Sequence, residues 1–95
     1  MSSDFSTNKH KVIQYPKNDP RRLFVLLYAI ETLDRPTLTT ISEYTGLNKG
    51  VIDSHTKNLN EFYGVTINKD GPVYAIASWG DILNREGVKK CVHGD

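Results

Sequence analysis

The residues best equipped to bond another molecule lie between Asn48 and Lys69. If residues 48–63 form a helix, Gly50, Asp53, Ser54, Lys57 and Glu61 recur at the spacing that brings side chains onto one outward face, and Asn48 and Lys49 lie at its N-terminal end. An ammonium group contacts phosphate oxygens or the acceptor edge of guanine. A hydroxyl bonds donor or acceptor edges, and a carboxylate accepts from cytosine N4. Asn48 has a competing role, because an asparagine ahead of a helix caps its free N–H groups. Lys69 adds a cation within Asn68-Lys69-Asp70-Gly71. Lys9, His10 and Lys11 form a second basic cluster near the front of the chain. These groups suit hydrogen bonding to a polyanion better than bond making.

Other chemistry finds less support. Cys91 and His93 are two metal-ligand types without partners, and a structural zinc site needs four. A single cysteine forms no internal disulfide, which agrees with a reducing compartment. There is no glycine-rich phosphate loop and no nucleophile elbow. His55 reads as a packed, hydrogen-bonded histidine rather than a ligand or base. The expectation is a protein that is not an enzyme and needs neither metal nor cofactor.

The elements that must position these groups follow from apolar spacing. Asp19-Pro20 opens a helix, with Asp as cap and Pro in its first position. Leu23, Leu26, Leu27, Ile30 and Leu33 then recur at helical period until Asp34-Arg35-Pro36 stops them. Thr37 caps a second helix carrying Leu38, Ile41 and Tyr44. Gly46 suits a left-handed residue after its last turn. Asn48 caps a third helix whose inward face is Ile52, His55, Leu59 and Phe62, with Gly64 at its end. The period then changes to alternation at Val65 and Ile67. Asn68 to Pro72 supplies a turn, and Val73 to Ala77 a second strand, so the pair reads as a hairpin. Ser78-Trp79-Gly80-Asp81 has capping-box spacing and predicts a short final helix ending near Gly87.

This order gives an α+β fold: a three-helix core, a β-hairpin wing and a short C-terminal helix. The domain occupies 19–87, between a flexible polar and basic arm over 1–18 and a tail over 88–95. Ninety-five residues, 38% hydrophobic and 24% charged, suit one globular domain. No apolar run is long enough to cross a bilayer, and the first residues lack the apolar stretch of a secretory signal, so a cytoplasmic location is expected.

The segment Leu38-Thr-Thr-Ile-Ser-Glu-Tyr-Thr-Gly-Leu-Asn-Lys-Gly-Val-Ile-Asp-Ser-His-Thr-Lys-Asn-Leu59 resembles the winged helix-turn-helix of bacterial MarR-type regulators. The resemblance spans residues 36–77. Ile41 stands at the first buried aliphatic, Ser42 at the small-residue position, Gly46 at the turn and Leu47 at the buried residue after it. Ile52 and Leu59 stand at the core positions of the recognition helix. His55 occupies a position that usually holds an aliphatic, and the long dimerisation helices of that family have no counterpart.

The resemblance implies a small transcription regulator that binds duplex DNA sequence-specifically, with helix 48–63 in the major groove. The arm, outside the resemblance, is similar in composition to basic arms that enter a minor groove, though short polar N-termini are more often simply disordered. One small module gives limited affinity and specificity, so a homodimer is expected, for which Trp79, Ile82 and Leu83 are the candidate contacts. A winged-helix module that binds another protein, as an adaptor or inhibitor, is the alternative reading. Charge keeps that alternative open. The net charge is +1, but five cations (Lys9, Lys11, Lys17, Arg21, Arg22) face two acids over residues 1–22. Over residues 48–72, Lys49, Lys57 and Lys69 are matched by Asp53, Glu61 and Asp70. The positive excess lies in front of the segment expected to meet DNA.

Overall fold

α1, Arg21–Thr32, is buried across consecutive positions: Val25, Leu26 and Leu27, then Ala29 and Ile30. Three successive helical residues span about 200° of arc, so one packing layer cannot cover them. In the computed structural model, which describes residues 6–17 and 19–93, α1 is covered by α2, α3, α4 and the second hairpin strand. The elements run α1, α2 (Leu38–Thr45), α3 (Lys49–Tyr63), β1 (Thr66–Asp70), β2 (Val73–Ser78) and α4 (Arg85–His93). The chain is a small α+β domain with four helices and a two-stranded antiparallel hairpin among the described residues. No helix among them is long and apolar enough to cross a membrane.

Local side-chain chemistry sets the helix ends. α1 begins one residue later than expected, with Pro20 rather than Asp19 in the cap position, and Asp19 Oδ1 accepts the Arg21 N–H at 2.9 Å just ahead of it. Thr37 and Thr40 cap reciprocally: Thr37 Oγ1 accepts the Thr40 N–H at 3.1 Å, and Thr40 Oγ1 accepts the Thr37 N–H at 2.7 Å. Asn48 Oδ1 accepts the Val51 N–H at 2.8 Å.

Between α2 and α3 the chain turns through Gly46, at φ +80. A Cβ there would run into the Gln14 side chain, so glycine answers both to the left-handed backbone and to a close neighbour. Ser42 Oγ donates to the Leu47 carbonyl at 2.7 Å, and Thr45 Oγ1 accepts the Leu47 N–H at 3.1 Å. Leu47 is thereby drawn into the core.

Several expectations need correction. Phe62 does not face inward: it is 60% exposed. The stripe from Ile52 and Leu59 continues four residues on to Tyr63, whose ring meets Phe24 at 5.8 Å. His55 does lie on the inner side, half-buried, but neither ring nitrogen has a hydrogen-bond partner among the described residues.

The hairpin turn is tighter than the run Asn68 to Pro72. Asn68, Lys69 and Asp70 pair with Ala75, Tyr74 and Val73, leaving Gly71-Pro72 as the turn. A bridge from Thr37 to Val73, and a Tyr74 N–H donated to the Pro36 carbonyl at 2.8 Å, join the hairpin to the α1–α2 connection.

Ser78 does not cap a helix. Its Oγ accepts the Gly80 N–H at 3.1 Å inside a turn, and Gly80, at φ +72, sits so close to the Gly64 carbonyl that a Cβ would meet it at 2.7 Å. The last helix starts at Arg85 instead and runs through the expected tail. It buries Val88 and Val92, and Arg85 pairs with Glu31 of α1 at 2.7 Å.

The front segment packs over residues 6–17 rather than extending as a free arm. Val12 and Tyr15 belong to the core, and the Tyr15 hydroxyl donates to the Val92 carbonyl at 2.6 Å. Residues 1–5, 18 and 94–95 of the expected arm and tail lie outside the described residues.

Replacing Gly46 by alanine is expected to cost about 1–3 kcal/mol, through left-handed strain and displacement of Gln14. Urea denaturation of Gly46→Ala beside the parent chain measures this, and an unchanged midpoint would contradict it.

Candidate functional site

The turn after α2 delivers the chain directly into α3, so α2 packing sets the direction in which α3 begins. With Ile52 and Leu59 fully buried, the 3.6-residue period turns the opposite face to solvent. Asn48, Lys49, Gly50, Asp53, Ser54 and Lys57 are all exposed, as is Glu61. The structure therefore brings Lys49, Gly50, Asp53, Ser54 and Lys57 onto one open face of a single helix, with Asn48 at its cap.

Their hydrogen-bonding capacity differs. The Asn48 carboxamide oxygen is committed to the cap. Lys49 has no ion-pair partner among the described residues. Lys57 Nζ lies 3.6 Å from Asp53 Oδ2, one helical turn away, with both side chains largely in solvent. An exposed pair of this kind contributes only tenths of a kcal/mol and exchanges readily for another partner. The first N–H groups of α3 have no intrahelical acceptor, and that end of the helix dipole is positive.

Lys69 is exposed on β1, where it pairs with Tyr74 rather than standing in the turn, with Nζ 5.3 Å from the Tyr74 ring centroid. The groove between α3 and the hairpin is lined by Thr56, Lys57, Asn60, Glu61, Thr66 and Ile67. Lys57 thus stands at the edge of both the open helix face and this groove.

Lys9, His10 and Lys11 are exposed, but their loop is fastened. Asn8 Oδ1 accepts the N–H groups of His10 and Val12, each at 3.0 Å, and Asn8 Nδ2 donates to the Tyr44 carbonyl at 2.8 Å. The His10 ring lies 5.6 Å from that of Tyr44. The basic loop is therefore held at the C-terminal end of α2.

Of the residues expected at a self-association surface, Trp79 and Leu83 are half-buried against the core, while Ile82 is 65% exposed. Among the described residues no cluster of His, Cys, Asp and Glu could hold a metal ion.

Sequence reasoning missed one arrangement. Gln14 Nε2 donates to the Thr45 carbonyl at 3.0 Å, and Arg22 lines a cleft with Gln14, Thr45, Gly46 and Leu47. The excess of cations over residues 1–22 was the signal. It gave no hint of location, because the contact joins segments about thirty residues apart. Arg22 also acts on His55: burial first, and then the Arg22 charge, push the imidazole below its ordinary range. His55 is therefore neutral in the folded protein at neutral pH.

Comparison with family models, curated proteins and solved structures gave no match.

A histidine lowered by folding takes up protons more readily in the unfolded chain. Its contribution to stability is complete above about pH 6.5 and is lost as pH falls toward the lower folded value. Urea midpoints measured between pH 7.5 and 5.5 are expected to fall more steeply for the parent than for His55→Leu. Parallel pH profiles would contradict this.

Proposed function

We propose that this chain is a small winged helix-turn-helix protein that binds duplex DNA sequence-specifically through α3 and acts as a cytoplasmic transcription regulator. The observation that carries the reading is the open polar face of α3, presented by the glycine turn after α2 and flanked by a two-stranded hairpin. A helix carried this way offers its first turns to a major groove. Lys49, Ser54 and Lys57 supply donors to phosphates and base edges, and Asp53 an acceptor for cytosine N4. Gly50 lets backbone approach closely, Asn48 holds the helix start, and Lys69 reaches the flanking backbone from the hairpin. One module of this size gives limited affinity and specificity, so a homodimer is part of the proposal, with Ile82 as its exposed apolar contact beside Trp79 and Leu83.

The second reading, a protein-binding winged helix, is favoured by two observations. The α3 face carries balanced charge, with Lys57 and Asp53 paired, and Phe62 leaves its ring exposed near the end of the same helix.

Amide NMR shifts in a titration with mixed-sequence duplex at low salt separate the readings. DNA binding predicts that Asn48 to Lys57 and the strand around Lys69 move together. About four phosphate contacts predict roughly a hundredfold loss of affinity between about 50 and 200 mM salt. Lys49→Ala combined with Lys57→Ala is expected to weaken binding severalfold while leaving the thermal melt within a few degrees of the parent, since both side chains are exposed. Undiminished affinity in that double variant would remove α3 as the reading face. Absence of any salt-reversible shift would favour a protein partner.

A further inference from the structure

We infer that Arg22, with Lys17 beside it, forms a phosphate-backbone contact next to the α2–α3 turn, so that α3 reads bases while the front of the chain supplies the positive charge that α3 lacks. This rests on the duplex-binding reading above and adds to it the residues that carry the electrostatic part.

The argument begins with charge that folding leaves uncompensated. Arg21 is neutralised: its guanidinium donates to Asp19 at 2.6 Å and lies 4.3 Å from the Tyr15 ring centroid. Arg85 is neutralised by Glu31. Arg22 has no carboxylate partner among the described residues. Its Nη1 donates instead to the Lys17 carbonyl at 3.1 Å. That bond ties the two cationic residues together without cancelling either charge. Lys17 is exposed and likewise has no ion-pair partner among the described residues.

Position is the second part. Arg22 lines the same cleft as Gly46 and Leu47, and Leu47 immediately precedes the α3 cap at Asn48. The Arg22 charge is felt by His55 in the second turn of α3. The guanidinium is thus set beside the α2–α3 turn and the inward side of the first half of α3, at the end of the helix where Lys49 begins the open face. Its Nε is buried, which limits the side chain's swing and pre-orders the head group. A guanidinium offers two parallel N–H donors, the geometry suited to phosphate oxygens.

The consequence is a division of labour. The α3 face carries as many acids as cations, which suits discrimination between base edges but adds little counterion release. Unneutralised cations held beside it contribute affinity that is independent of base sequence.

The test is fluorescence anisotropy with the full chain and labelled duplexes of two unrelated sequences, titrated at several salt concentrations between about 50 and 200 mM. Arg22→Gln and Lys17→Ala are each expected to weaken binding to both duplexes by a similar factor. Each should also flatten the slope of log Kd against log salt by about one. Lys90→Ala, which removes an exposed cation on α4, is expected to leave the slope unchanged. Circular dichroism and a thermal melt check that Arg22→Gln is folded. If it is not, Lys17→Ala and the charge reversal Lys17→Glu decide alone, because that side chain is solvent-exposed. Unchanged salt slopes in the folded variants, with Lys49→Ala still weakening binding, would overturn this inference and leave the duplex reading standing. No salt-reversible binding by the parent chain would overturn both.

Discussion

The burial of α1 is the constraint on which the rest of this molecule depends. Val25, Leu26, Leu27, Ala29 and Ile30 cannot all be covered by the two helices that follow. In a chain of 95 residues few other segments are free to finish the job. The front segment contributes Val12 and Tyr15, and α4 contributes Val88 and Val92. These two covers also brace each other, through the Tyr15 hydroxyl and the last carbonyls of α4. An element that resembles a dispensable arm and one that resembles a tail are thus parts of a single core.

That closure governs the candidate site. Once the front segment is recruited to cover α1, Gln14 lands against Gly46 and Thr45, and Asn8 against Tyr44. Three residues of α2 and its turn, Tyr44, Thr45 and Gly46, therefore meet a segment thirty or more positions earlier in sequence. The turn is held from both sides: locally by Ser42 and Thr45 bonding to Leu47, and remotely by Gln14. The first turns of α3 inherit that rigidity, and their exposed groups are presented in one arrangement.

Electrostatics follows from the same closure. The α3 face is nearly neutral, and the excess of positive charge resides in the first 22 residues. Folding brings one end of that excess beside the start of α3 and fastens Lys9 to Lys11 at the end of α2. Within the excess the cations are unequal. Arg21 is spent on Asp19, whose carboxyl is held below its ordinary range mainly by that hydrogen bond. Arg22 has no carboxylate partner among the described residues, and burial, followed by the Arg22 charge, lowers the affinity of His55 for a proton.

What the sequence determined by itself was local. Thr37, Asn48 and Gly46 mark helix boundaries through bonds and backbone angles made within four residues, so their types suffice to place them. The spacing of Ile52 and Leu59 likewise settles which face of α3 is left open, because helical period is a local property. Tertiary structure decided where local signals tie or vanish. Phe62 and Tyr63 are equally good continuations of the α3 stripe, and contact with Phe24 selected Tyr63. Val88 and Val92 are two apolar residues among lysines, too short a pattern to announce a helix until α1 offers a surface to bury them. Ser78 has capping-box spacing, yet the close approach of Gly80 to Gly64 claims it for a turn. The cleft joining Gln14 and Arg22 to Gly46 had no local signature, since its energy arises only when distant segments meet on α1.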